Sequence, residues 1–196
     1  MPIHVCVIEA MGRNAGWITA ASALARKEKG DAPHLIYLPE RPFNEEEFLE
    51  DVKKLYDELG GVVVVASEGL KDKEGKPIVA PVFKTERAIY YGDVGAHLAN
   101  LVIQKLGIKA RNEKPGICGR ASIAWQSATD RDEAVMAGRE ALMAALDGES
   151  GVMIGFKRVE GADGSYGVEP FRVPIEEVMM YEKEIPKSYI NARGND

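Results

Sequence analysis

The sequence predicts an α/β fold: three layers, with a mainly parallel sheet between helices on both faces. Three observations predict it. Apolar, β-branched runs alternate with segments whose apolar residues recur at helical spacing. One run, Gly61 to Ser67, holds the unbroken valines Val62 to Val65, as expected of a parallel strand buried on both faces. The first run, Ile3 to Ile8, leads into a glycine turn and then an alanine-rich segment, the strand–turn–helix opening of such folds.

Each element has its own local signature. Ile3 to Glu9 is a strand and Trp17 to Lys29 a helix. Pro33 to Leu38 is a short apolar run between Asp31 and Pro39, and so a strand. Asn44 is placed to cap a helix, with three glutamates in the first turn where the dipole favours them. That helix carries Phe48, Leu49, Val52, Leu55, Tyr56 and Leu59 on one side and stops at Gly60-Gly61. The valine strand comes next. Gly69 to Tyr91 is charged and turn-rich, and reads as an exposed loop or small hairpin. Asp93 to Leu106 is a helix with Val94, Leu98, Leu101, Val102 and Leu106 inward. Ile108 to Ile117 is an irregular strand interrupted by Pro115-Gly116. Thr129 is expected to cap a strong helix that runs to Leu146, and Gly151 to Arg158 is a further strand. Gly161 to Gly167 is a turn, a short helix starts near Pro174, and residues 193–196 are a loose tail. No repeat or linker divides the chain, so residues 1–196 are read as one domain.

Composition narrows the function. A net charge of −6 disfavours a general binder of nucleic acid or of membrane surfaces, because either requires a basic face. No apolar run approaches the roughly 20 residues that span a bilayer. There is no basic, apolar leader at the start. Cys6 and Cys118 are too few for a disulfide framework and lack metal-ligand spacing, which fits a cytoplasmic protein. His4, His34 and His97 are scattered and also lack ligand spacing. A strand that begins at about the third residue is what a chain cut at a domain boundary would look like.

Ligands of open parallel sheets bind beyond the carboxyl ends of the strands. Three polar groups fall there: Met11-Gly12-Arg13, Ser67-Glu68-Gly69, and the run from Arg111 to Arg120. Together they suit a phosphosugar, with arginines to neutralise phosphate and a carboxylate to accept from sugar hydroxyls. Each has a plainer reading: an ordinary glycine turn with a surface arginine, a solvated or capping Glu68, and surface charges at Arg111 and Arg120. Gly161-Ala162-Asp163-Gly164-Ser165 is a polar hairpin turn and not a phosphate loop.

The run Glu9-Ala10-Met11-Gly12-Arg13-Asn14-Ala15-Gly16-Trp17 resembles the fructose-6-phosphate motif of the phosphofructokinases, above all the branch with pyrophosphate-dependent members. The resemblance extends over nearly the whole chain. It includes Ala66-Ser67-Glu68-Gly69, the Thr129-Asp130 helix start, Gly151-Val152-Met153 and the ending Glu182 to Tyr189. It implies that Met11, Gly12 and Arg13 contact the sugar phosphate and that Glu68 holds the fructose moiety. It also implies that Arg120 binds the phosphate within its own subunit, while Arg111 reaches the site of a neighbouring one. A role for Arg13 on the transferring group is implied as well. Ile117 and Gly119 depart from the family pattern, which has a hydrogen-bonding residue and Gln there.

The family's donor loop, Gly-Gly-Asp-Gly or Gly-Gly-Asp-Asp, and its Thr-Ile-Asp base segment are absent. The expectation is therefore the C-terminal, substrate-binding half of a phosphofructokinase, inactive alone and carrying no catalytic residue or metal ligand. The whole enzyme would transfer phosphoryl from pyrophosphate or ATP, with Mg²⁺, to the 1-hydroxyl of fructose 6-phosphate in glycolysis. Its N-terminal donor half and further copies of itself are the expected partners. A stand-alone sugar-phosphate sensor or regulatory subunit is the alternative. An unrelated nucleotide-binding α/β domain is a third reading, under which the motif match is coincidence.

Overall fold

The computed structural model describes residues 4–86 and 89–196. Ile3, at the head of the expected first strand, and Arg87 and Ala88, within the expected loop, lie outside the described residues. The sequence pattern suggests one domain; by packing, the chain divides into two compact units. One runs up to Gly119 and is joined by Lys183–Asp196; the other is Arg120–Glu182.

In the first unit, β1 (Val5–Ala10) leads through the glycine turn into a short helix α1 (Trp17–Ala21). The chain then tightens into a 3₁₀ turn over Ser22–Ala25. The helix expected to reach Lys29 therefore ends early. The cause is local: Asp31 Oδ2 accepts from the backbone N–H groups of Lys27 and Glu28, both at 3.0 Å, and Arg26 Nε donates to Pro33 O. These bonds offer the backbone an alternative to continuing the helix.

Next come β2 (Leu35–Tyr37) and α2 (Glu45–Leu59). Asn44 caps α2 as expected, its side chain accepting from Glu46 N at 3.0 Å and Glu47 N at 3.2 Å. Gly60 ends the helix at φ 74°, a left-handed conformation that glycine adopts without strain. The valine run is β3 (Val62–Ser67). The charged segment after it closes with an antiparallel hairpin, β4 (Pro81–Lys84) and β5 (Ile89–Tyr91). Helix α3 (Val94–Leu101) continues as a π-helical turn to Leu106, and β6 (Ala110–Glu113) completes the sheet.

The sheet runs β2-β3-β1-β6, with every neighbouring pair parallel. Alternation along β1 sends Val5 and Val7 to one face, where they meet Phe48 and Val52 of α2 and Val94 and Leu98 of α3. All six side chains are fully buried. Each such burial contributes roughly 1.5–3 kcal/mol relative to exposure. A second cluster gathers Ile36, Leu38, Ile185 and Ile190, with Ala20 and Ala23 packed against it. The expected layering of helices around a parallel sheet is thus present in this unit.

The last four residues are not a loose tail. Arg193 pairs with Glu50 and Asp51, Asn195 O accepts from Ile36 N at 2.9 Å, and Asp196 pairs with Arg26.

The second unit begins within α4 (Cys118–Ala121) and contains α5 (Ala128–Leu146), β7 (Val152–Glu160), β8 (Tyr166–Pro174) and α6 (Ile175–Val178). Ser127, not Thr129, caps α5: its Oγ accepts from Asp130 N at 3.3 Å. β8 is not among the strands expected from sequence. It pairs antiparallel with β7 as a separate two-stranded sheet, so the strand expected over Gly151 to Arg158 does not extend the parallel one. Pro170 and Pro174 disguise β8 as a loop. In a two-stranded ribbon both strands are edges, where a missing N–H is tolerated. The turn at Gly161–Ser165 is the hairpin turn expected, closed by Gly161 N to Ser165 O at 2.9 Å.

Candidate functional site

The carboxyl ends of β1 and β3 are neighbours because the strands pair in register from Val5↔Val62 to Ala10↔Ser67. The loops that leave these two ends must therefore meet. Glu68 N donates to Ala10 O at 2.9 Å, and Glu68 Oε1 accepts from Gly12 N at 3.2 Å. Ser67 Oγ donates to Gly12 O at 2.6 Å and accepts from Gly69 N at 3.0 Å. Gly12 takes φ 117°, a conformation only glycine holds cheaply. At Gly69 a Cβ would stand 1.6 Å from Arg13 O, so the two loops touch backbone to backbone. Met11, Gly12, Arg13 and Glu68 are thereby brought together.

Arg13 is exposed and turned toward the β4–β5 hairpin. Its Nη1 donates to Ile89 O at 3.3 Å, and its guanidinium lies over the Tyr91 ring, 5.6 Å from the centroid. The guanidinium fork carries five N–H donors in all. An arginine beside a carboxylate can take an anion on one side and hydroxyls on the other.

Arg111 is not in this cluster. It lies in β6 opposite Cys6 of β1, four residues short of Ala10, exposed and 3.6 Å from Glu113 Oε1. Arg120 is exposed on α4 and belongs to the second unit. The structure brings Met11–Arg13 and Glu68 together beyond the strand ends and leaves Arg111 outside that cluster.

Sequence reasoning missed four residues around this cluster. Glu9, in the motif but given no role, is 3% exposed. One of its oxygens accepts from Gly95 N at 2.8 Å, capping α3 from the neighbouring strand; the other meets Lys114 Nζ at 2.8 Å. Lys114 also reaches Asp93 Oδ1 at 2.5 Å. Burial draws the Lys114 amine toward its neutral form, but hydrogen bonds and charge from Asp93 and Glu9 outweigh it and hold its pKa above the ordinary lysine value. Lys114 is thus committed to two carboxylates. The signal that could have found it is its place directly after β6, where the carboxyl-end rule applies. The same rule, applied to β2, points to Glu40. Its Oε1 accepts from Gly16 N at 2.8 Å, the residue that opens α1. Among the described residues, no group of three or more His, Cys, Asp or Glu side chains could hold a metal ion, and no helix is long and apolar enough to cross a membrane.

Residues 3–145 match the phosphofructokinase family. The pyrophosphate–fructose 6-phosphate 1-phosphotransferase of Rhodospirillum rubrum is 37% identical over 95% of this chain and 47% of its own length. A sulfofructose kinase from Alkalicoccus urumqiensis is 32% identical over 97% of this chain and 49% of its own. The crystal structure of a pyrophosphate-dependent phosphofructokinase from Marinobacter aquaeolei superposes with a TM-score of 0.80 at 35% identity, covering 98% of this chain and 44% of that one. The chain spans about half the length of the curated relatives it matches. By the family match and by these relatives, the chain belongs to the phosphofructokinase family.

Proposed function

We propose that this chain is the fructose-6-phosphate-binding half of a 6-phosphofructokinase whose donor is pyrophosphate. One observation carries the reading: Gly12 N on Glu68 Oε1, which fixes the Arg13 turn and the Glu68 carboxylate as one cluster beyond the sheet. Met11, Gly12 and Arg13 lie close to the reacting end of the acceptor, where Arg13 stabilises the group in transfer, and Glu68 accepts from sugar hydroxyls. The resemblance assigns Arg120 to the acceptor's phosphate and Arg111 to the site of a neighbouring subunit in a homo-oligomer. The carboxylates here are engaged by amide and ammonium groups, so the cluster is not an oxygen cage for Mg²⁺. Mg²⁺, the donor and the base for the 1-hydroxyl belong to the N-terminal half of the enzyme, in the cytoplasm, where the reaction serves glycolysis. The names of the relatives support pyrophosphate over ATP.

Calorimetric titration of the chain with fructose 6-phosphate tests this. Saturable binding is expected, weakened about 10- to 100-fold in Arg13→Ala, the loss expected when a charge-assisted bond is removed. Absence of saturable binding to the folded chain overturns the reading. A coupled assay with Mg²⁺ and either pyrophosphate or ATP should show no turnover by the chain alone; turnover would place the donor site within it. The fructose bearing a sulfonate at the 6-position is the competitor to titrate, because Ile117 supplies no hydrogen bond where the family has a polar residue.

A further inference from the structure

The glycine turn that carries Arg13 is pinned at two ends. At Gly12 the pins are Glu68 and Ser67. At Gly16 the pin is Glu40, three residues beyond β2. Strand order explains the reach. β1 and β2 flank β3, so a loop leaving β1 that ends beside β2 must cross the end of β3. Glu40 Oε1 accepts twice, from Gly16 N at 2.8 Å and from Ile185 N at 3.1 Å. It thus joins the turn to a segment 169 residues away, counted from Gly16 to Ile185. Trp17 strengthens that junction, its Nε1 donating to Lys183 O at 2.5 Å. Glu40 Oε2 is buried and has no hydrogen-bond donor among the described residues. It fills the space a side chain at position 16 would need: a Cβ on Gly16 would lie 2.8 Å from Oε2 and from Pro39, and 2.9 Å from Leu38. The second glycine of the motif is thereby explained by the carboxylate packed against it.

We infer that Glu40 is a positioning residue for the acceptor site: it fixes the Gly12–Trp17 turn, and with it Arg13, to the segment Lys183–Ile190. The inference rests on the proposed function only for what Arg13 binds. The pinning of the turn stands or falls without it. An acceptor oxygen is what the geometry uses, so Gln serves in place of Glu. Met fills similar volume without an acceptor and releases both N–H groups.

The experiment compares wild type, Glu40→Gln and Glu40→Met by two readouts. One is amide hydrogen exchange at Gly12, Arg13, Gly16 and Ile185, followed by NMR. The other is fructose 6-phosphate affinity. Glu40→Met should exchange at least tenfold faster at Gly16 and Ile185, with faster exchange reaching Gly12 and Arg13, and bind about tenfold more weakly. Glu40→Gln should stay within about threefold of wild type on both counts. Core amides of β1 and β3 report that each variant is folded. The inference is overturned if Glu40→Met matches wild type at Gly12 and Arg13, or if the two variants are equally impaired. Should wild type bind no fructose 6-phosphate, the functional reading fails, and the exchange readout still decides the role of Glu40.

Discussion

Single residues decide how closely the loops of the site approach. Gly69 has no room for a side chain, since a Cβ there would stand 1.6 Å from the carbonyl of Arg13. Gly69→Ala must push the Arg13 turn aside. It should cost about 1–3 kcal/mol by denaturant unfolding, as overpacking does, and weaken ligand binding with it. An unchanged midpoint together with unchanged affinity would show that the turn yields without cost. Tyr37 gives a second prediction. Burial, and then the charge and hydrogen bond of Asp51, hold its phenol protonated well above the ordinary tyrosine value of about 10. The folded-state pKa is raised, so this contribution is complete below pH 10 and is lost as pH rises above it. Tyr37→Phe should flatten the alkaline fall in stability. Arg13 and Glu68 were legible because they directly follow strands readable from their apolar runs. Glu9 and Lys114 were not, because their pairing depends on the β1–β6 register, which sequence pattern does not supply.

Elements were legible where local chemistry and tertiary packing agree. Asn44 precedes three glutamates and an apolar face at helical spacing, and α2 forms within a residue of the expected start. Asn44→Ala removes the acceptor for Glu46 N and Glu47 N and should lower the unfolding free energy by about 1 kcal/mol, within the 0.5–2 kcal/mol range for such caps. A denaturation midpoint equal to wild type would show that solvent satisfies those amides equally well. Elements were illegible where a side chain outside the pattern intervened. Alanine content favours a long α1, but Asp31 captures the backbone N–H groups of Lys27 and Glu28. In β8 the alternation is interrupted by Pro170, which sits opposite Phe156 and would be excluded from a central strand. The glycine-rich turn at 161–165 is legible from its residues, but Pro170 hides the strand after it, so the pattern of this hairpin is that of a strand and a loop.

The two units differ in how much they bury. The first holds a continuous core from Val5 to Ile108 across four parallel strands and two helices. In Arg120–Glu182, Ala144 alone is buried among the described residues. Val135, Leu142, Met143 and Leu146 of α5 stay exposed, as do Phe156 and Phe171 of the hairpin. Composition is of no help here, because these residues are as apolar as those of a core; only packing separates them. A two-stranded sheet is marginal in water by itself, and one buried alanine adds little to it. The protection of backbone amides follows local burial, so the units should open with different free energies. In hydrogen exchange of the isolated chain, amides of β7, β8 and α5 should exchange well ahead of those in β1 and β3, without unfolding of the parallel sheet. Equal protection of β1 and β7 in the isolated chain would contradict this, because it would require the unit with one buried side chain to be as hard to open as the unit with the core.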